Sequence, residues 1–230
     1  MVVLDASHMS GTRLRGQHVG GEADASVFSF QAVKNLPTAD SGMICFADAS
    51  LDAEVRRWTW LGINKDTYTR TMSGGTYKWN YDVEHVGFKY HGNSIMAAIG
   101  LVSLRYLDQD NAYRRQVAEW YDEFLAAESS IARVPMATGC LPSRHLYQVL
   151  VDRRDEVVLA LHERQVFPGV HYRDNSLYSM YADARGACPR SLQASQRIIS
   201  LPLHLRLSYR DVEYVAASLR EVVGRLNGAG

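Results

Sequence analysis

Four residues near the amino end are of types that could do chemistry together: Asp5, His8, Ser29 and Lys34. Asp5 closes the run Val2-Val3-Leu4, which has the composition of a buried strand. His8 follows three residues on, and Ser29 and Lys34 flank the end of a second apolar run, Ser26–Phe30, with Lys34 twenty-nine residues after Asp5. In parallel α/β sheets ligands sit outside the carboxyl ends of strands, so two neighbouring strands would present the acid and the amine to one crevice. That pairing suits pyridoxal 5'-phosphate (PLP). A lysine amine condenses with its aldehyde to a Schiff base, and a carboxylate facing the pyridine nitrogen keeps that nitrogen protonated, so that the ring becomes an electron sink. A nearby hydroxyl and a partner for the ring hydroxyl would complete the hold. Each residue taken singly also has an ordinary reading: a solvated loop lysine, a turn or cap aspartate, a packed or surface histidine, a serine bonded to its own backbone. Spacing alone leaves these open.

The elements that must position these groups are legible in outline. Val2–Leu4, Ser26–Phe30 and Gly42–Phe46 read as three short strands, with the polar segment Gln31–Ser41 carrying Lys34 between the second and third. Leu51, Val55 and Trp58 repeat at helical spacing up to Trp60, with Asp52 and Glu54 near the start and Arg56 and Arg57 near the end, and this helix is expected to cover one face of the sheet. Gly62–Tyr90, rich in Gly, Tyr and Trp, is expected to be an ordered packed loop. Asn93 or Ser94 can cap a helix with Ile95, Ile99, Val102 and Tyr106 on one side, in which Ala97, Ala98 and Gly100 admit another backbone; it is expected at the join of two domains. A second helix is expected from Asn111, a strand over Leu146–Val151, a helix Glu156–Arg164 capped by Asp155, and a last helix opened by the capping box Ser208-x-x-Asp211. These later elements form a small α+β domain.

Composition excludes several classes. The 230 residues are 47% hydrophobic and 22% charged, which suits a folded globular protein and not a disordered segment. Twenty-five Lys+Arg balance twenty-five Asp+Glu, so there is no net field to draw nucleic acid or an anionic membrane. Apolar runs fall short of the roughly 20 residues of a membrane span, and no signal peptide or metal-ligand spacing is apparent. Cys45, Cys140 and Cys188 are widely spaced and odd in number, which points to free thiols and a cytoplasmic location.

Seven segments, VLDASHMSG, GQHVG, FSFQAVKNLPTADSGM, GFKYHGNSIMAAIGL, YQVLVDRRDE, GVHYRDN and SLPLHLRLSYRDV, taken in order, resemble signature stretches of the DegT/StrS sugar aminotransferases. The resemblance covers nearly the whole chain. It implies an α/β fold, that of fold-type I PLP-dependent transferases, a cytoplasmic homodimer with sites at the subunit interface, and transfer of an amino group from glutamate or glutamine to a nucleotide-linked keto-sugar, as in making a surface polysaccharide or a glycosylated natural product. It also implies roles: Lys34 as the Schiff-base lysine of F-S-F-x-x-x-K-N, Ser29 on the PLP phosphate, Asp5 on the pyridine nitrogen and His8 on the ring hydroxyl. Lys89, His91 and Asn93 fall where relatives reach across the dimer to the partner's phosphate or substrate; a solvated basic loop is the alternative. His171 and Tyr172 fall in a segment near the substrate sugar, or form a packing pair.

The resemblance has two departures. Where the family commonly has a Gly-Glu-Gly-Gly turn after the lysine, this chain has Ala39-Asp40-Ser41-Gly42. Relatives are also substantially longer, and the extra portion, including the helix N-terminus that grips the phosphate and the aromatic residue that stacks on the ring, is expected before Met1. Neither Gly20-Gly21 nor Gly74-Gly75 opens an amphipathic helix that could replace that phosphate cup. The expected division is therefore 1–106 as the remainder of the PLP-binding large domain and 107–230 as the small C-terminal domain. A chain beginning at a central strand is expected to be poorly stable alone or an incomplete product. The rival functions are a non-catalytic remnant and a PLP-dependent sugar dehydratase, against which Lys34 argues because such relatives carry histidine there.

Overall fold

The computed structural model describes residues 1–64 and 81–228, which form two compact units, Met1–Leu107 and Asp108–Gly230. In the first unit β1 (Val3–Asp5), β4 (Ala25–Ser29) and β5 (Gly42–Phe46) make a sheet in the order β1-β4-β5. β1 runs parallel to β4 with Val3 beside Ala25, Leu4 beside Ser26 and Asp5 beside Val27, whereas β5 is antiparallel to β4. The first strand is thus an edge of this sheet and β4 its centre. Between β1 and β4, a ribbon of β2 (Arg13–Leu14) and β3 (Gln17–His18) turns through Arg15 and Gly16, both at positive φ.

After β5, Asp48 caps α1 (Ala49–Thr59) by accepting the Ser50 N–H at 2.8 Å. α1 lies beside β5 yet buries none of its residues, so it does not cover the sheet face as expected: Leu51 and Val55 are only half-buried and Trp58 is 43% exposed. The stretch after it is partly described. Residues 65–80, with Gly74 and Gly75, lie outside the described residues. Its flanks meet tightly: Leu61 N–H donates to Phe88 O at 3.0 Å, and Gly62, at φ +73°, lies so close to His85 that a Cβ would fall 1.8 Å from its carbonyl oxygen. Asn93 caps α2 (Ser94–Leu104) through the Met96 N–H at 3.0 Å. The apolar side of α2 is uncovered, with Ile95 76% and Leu101 65% exposed.

The second unit is built on α3 (Leu107–Phe124), β6 (Ala132–Arg133), β7 (Cys140–Leu141), β8 (Tyr147–Leu150), α4 (Arg154–Glu163), α5 (Pro189–Arg197), β9 (Ile198–Leu201) and α6 (Tyr209–Gly228). The order β6-β8-β9 is antiparallel throughout. Val149, Ile199, Val157, Leu161, Leu219 and Val222 meet in its core, all fully buried. Tyr121 and Tyr147 stack with centroids 4.8 Å apart, and burial pushes both phenols well above their ordinary range. The capping box before α6 forms as expected, Ser208 N–H to Asp211 Oδ2 at 2.8 Å and Asp211 N–H to Ser208 Oγ at 3.3 Å. The expected Asp155 cap does not. α4 starts two residues earlier, after Arg153 in the left-handed region, and Arg153 grips Glu156 through two hydrogen bonds of 2.8 and 2.6 Å while Asp155 pairs with Arg154 inside the first turn.

Leu219 supplies one of the fully buried side chains of this core. Leu219→Ala is expected to cost about 2–5 kcal/mol through lost burial and the cavity left behind, read as a lower urea midpoint with an unchanged slope.

Candidate active site

The parallel register of β1 and β4 sets the site. Side chains that pair across strands share a face, and alternate residues along a strand share it too. Asp5 is beside Val27, and Ser29 is two residues further along β4, so both emerge on one face at the carboxyl ends of their strands. The backbone then holds each strand end. Ala6, fully buried, donates its N–H to Val27 O at 2.8 Å, and Asp5 Oδ1 accepts the Ser7 N–H at 2.9 Å.

Lys34 lies in the turn that leaves β4. Its N–H bonds to Gln31 O at 2.9 Å, and the buried Asn35 and Leu36 anchor the residues after it. The base of this loop is stapled by Thr38, 2% exposed, whose N–H and hydroxyl both donate to Phe30 O at 2.8 and 3.1 Å, and by Phe30 N–H to Ser41 O at 2.8 Å; the Thr38 and Ser41 hydroxyls also bond to each other. α2 buttresses the loop: Ser103 donates to Pro37 O at 3.2 Å, and Gly100 passes so near Thr38 that a Cβ would lie 3.1 Å from Thr38 Cγ2. What Gly100 makes room for is thus a side chain of the lysine loop, and among the described residues no second backbone lies against it. Thr38, Ser41 and Ser103 were not foreseen, because their bonds depend on how the loop folds back on Phe30 and, for Ser103, on a carbonyl 66 residues away.

Charges tie the pieces together. The Asp5 carboxyl is held below its ordinary range first by the Ser7 hydroxyl, then by the Ser7 N–H, with burial opposing and His8 and Lys34 adding positive charge. Burial lowers the Lys34 amine below the ordinary lysine value, and the attraction of Asp5 partly offsets it. Asp5, His8 and Lys34 therefore share one electrostatic neighbourhood, with Ser29 on the same sheet face as Asp5. An apolar cavity of about 510 Å³ lies on the opposite face, lined by Phe28, Met43 and Cys45 of the sheet, and takes none of these groups.

The other candidates have local partners of their own. Lys89 Nζ sits 3.7 Å from the centre of the Trp60 ring, and His91 meets the same ring edge-on at 4.1 Å. Asn93 is the α2 cap, and all three are exposed. His171 and Tyr172 belong to the second unit. His171 Nδ1 is 2.8 Å from Ser200 Oγ and its carbonyl accepts Gln148 Nε2 at 2.6 Å, which ties it into the sheet, while Tyr172 is 60% exposed. Gly20-Gly21 lies in the turn before β4 and starts no helix.

One departure has a structural consequence. Ala39, in the turn after the lysine, adopts φ +86°, a region that disfavours a Cβ. Ala39→Gly is expected to stabilise the chain by about 0.5–1 kcal/mol, the relief of strain exceeding the added freedom of the unfolded chain, and to raise the thermal midpoint.

The family model of the DegT/DnrJ/EryC1/StrS aminotransferases matches residues 1–220. The chain belongs to this family. TlmJ, an aminotransferase from Streptoalloteichus hindustanus, is 31% identical, with a TM-score of 0.87 over 98% of this chain and 59% of its own. Spr1654 from Streptococcus pneumoniae, in its PMP form, is 28% identical, with a TM-score of 0.88 over 97% of this chain and 59% of its own; its PLP form also matches. The sugar aminotransferase CalS13 from Micromonospora echinospora is 26% identical, with a TM-score of 0.84 over 96% of this chain and 58% of its own. The chain thus spans somewhat under three fifths of these DegT/DnrJ/EryC1/StrS structures, as a partial fold-type I transferase fold.

Proposed function

We propose that the chain is part of a PLP-dependent aminotransferase that passes an amino group from glutamate or glutamine to a nucleotide-linked keto-sugar, with 1–106 as the remainder of the cofactor-binding domain and 107–230 as the small C-terminal domain. The observation that carries the reading is the convergence of an ionised acid, a partly desolvated amine and a strand-end hydroxyl at one edge of the sheet. This donor set fits PLP. When bound, PLP supplies an electron sink for charge developing at the substrate's α carbon.

The residues divide the work. Lys34 Nζ, whose pKa burial lowers below the ordinary lysine value, would hold the cofactor at its aldehyde carbon and would be the group to carry the proton taken from and returned to the substrate. Asp5 keeps the ring nitrogen protonated because its own carboxyl stays ionised at neutral pH. Ser29 donates to the phosphate and His8 contacts the ring hydroxyl. Lys89, His91 and Asn93 serve a partner subunit's phosphate or substrate, which their exposure permits, and His171 and Tyr172 line the sugar side. The uncovered Ile95, Ile99, Leu101 and Val102 of α2 support a homodimer, since apolar surface of that kind is normally covered by another chain. Among the described residues no helix is long and apolar enough to cross a membrane, and the free thiols of Cys45, Cys140 and Cys188 favour the cytoplasm.

Titration of the protein with PLP tests the reading. A new visible absorbance band that saturates supports it; a spectrum equal to the sum of free PLP and protein overturns it.

A further inference from the structure

We infer that Ser7 is a positioning residue for Asp5, gripping its carboxylate with backbone N–H and hydroxyl so that it stays in one orientation and keeps its negative charge. The inference rests on the PLP reading above and concerns a residue to which that reading gives no role.

The grip follows from the path of the chain. Ala6, between the two residues, is fully buried and fixed by its N–H to Val27 O at 2.8 Å. Met9 N–H then returns to Ala6 O at 2.9 Å, closing a tight turn that keeps Ser7 over the strand end. In that turn Ser7 N–H reaches Asp5 Oδ1 at 2.9 Å, and the Ser7 hydroxyl is the first of the groups that hold the carboxyl below its ordinary range. Serine two residues after aspartate is the spacing that permits both contacts.

The chemistry of the donors matters as much as their position. The cations facing Asp5 are His8, from the same turn, and Lys34, from the loop after β4. A salt bridge to either would hold the carboxylate ionised but would also neutralise it. Ser7 offers neutral donors, which favour the ionised form and leave its full charge to face a protonated ring nitrogen.

Carbon-13 NMR of the Asp5 carboxylate tests this in the protein without cofactor, with Asp5→Asn for assignment. Ser7→Ala keeps the backbone N–H and removes the hydroxyl. It should move the Asp5 midpoint up, and Ser7→Thr should restore it. An Asp5 midpoint in Ser7→Ala equal to the wild type overturns the inference. In the PLP-loaded protein, nitrogen-15 NMR of ring-labelled PLP should show the ring nitrogen losing its proton at lower pH in Ser7→Ala, with Ser7→Thr again restored; an unchanged ring titration in a protein that binds PLP also overturns it. Wild type that takes up no PLP is a different failure, overturning the cofactor reading itself.

Discussion

Lys34→Ala should abolish the covalent hold on PLP and lower amino transfer by on the order of 10⁴-fold, because one side chain supplies both the attachment and the proton carrier. The loss should be chemical and not structural. Lys34 is only half-buried, and the bonds of Thr38, Ser41 and Ser103 that hold its loop run to Phe30, to Pro37 and between the Thr38 and Ser41 hydroxyls. Thermal midpoint and circular dichroism should therefore match the wild type while the visible band disappears. Lys34→Arg, which keeps a cation and lacks a condensable amine, should behave as Lys34→Ala does in the band and in turnover. Retention of more than a few per cent of turnover by either variant would remove Lys34 from the chemistry.

Asp5→Ala should leave PLP attached yet lower turnover about 10²–10³-fold, the usual scale for losing one preorganised electrostatic partner. The pH dependence has a definite sign. The Asp5 carboxyl is depressed below the ordinary aspartate range, so it is ionised across neutral pH and its contribution is lost only as pH falls through that lowered value. Wild-type turnover should show no Asp5 limb near neutrality, and the ring-bound absorbance of Asp5→Ala should titrate at lower pH than the wild type. Identical spectra and turnover in the two proteins would contradict the assignment.

How much of this the sequence could reveal depends on the range of the forces involved. Val3–Asp5, Ala25–Ser29 and Gly42–Phe46 stand within a residue or so of the apolar runs that announce them, because β-branched and aromatic composition is local information. The Ser208–Asp211 box formed for the same reason. The ribbon of β2 and β3 had no apolar alternation to betray it, and it is made by Arg15 and Gly16 at positive φ. α3 starts at Leu107 and not Asn111. α1 shows the opposite error: its periodicity gave the helix but not its cover, since a helical stripe says which side is apolar and not what lies against it. The strand-end positions of Asp5 and Ser29 and the loop position of Lys34 were legible from the apolar runs beside them. Whether the first two shared a face depended on register, which a one-residue slip would reverse. Ser7 could have been found from the Asp-x-Ser spacing alone; Ser103 could not, since its bond to Pro37 spans 66 residues.

Borohydride reduction of the protein equilibrated with PLP, followed by peptide mass spectrometry, tests the central claim most directly. Hydride reduction fixes the cofactor wherever an amine has condensed with it. The label should appear on the peptide containing Lys34, at one cofactor per chain, and Asp5→Ala should leave that label in place. Label on Lys89 or another amine in preference to Lys34, or no label at all, would contradict the account.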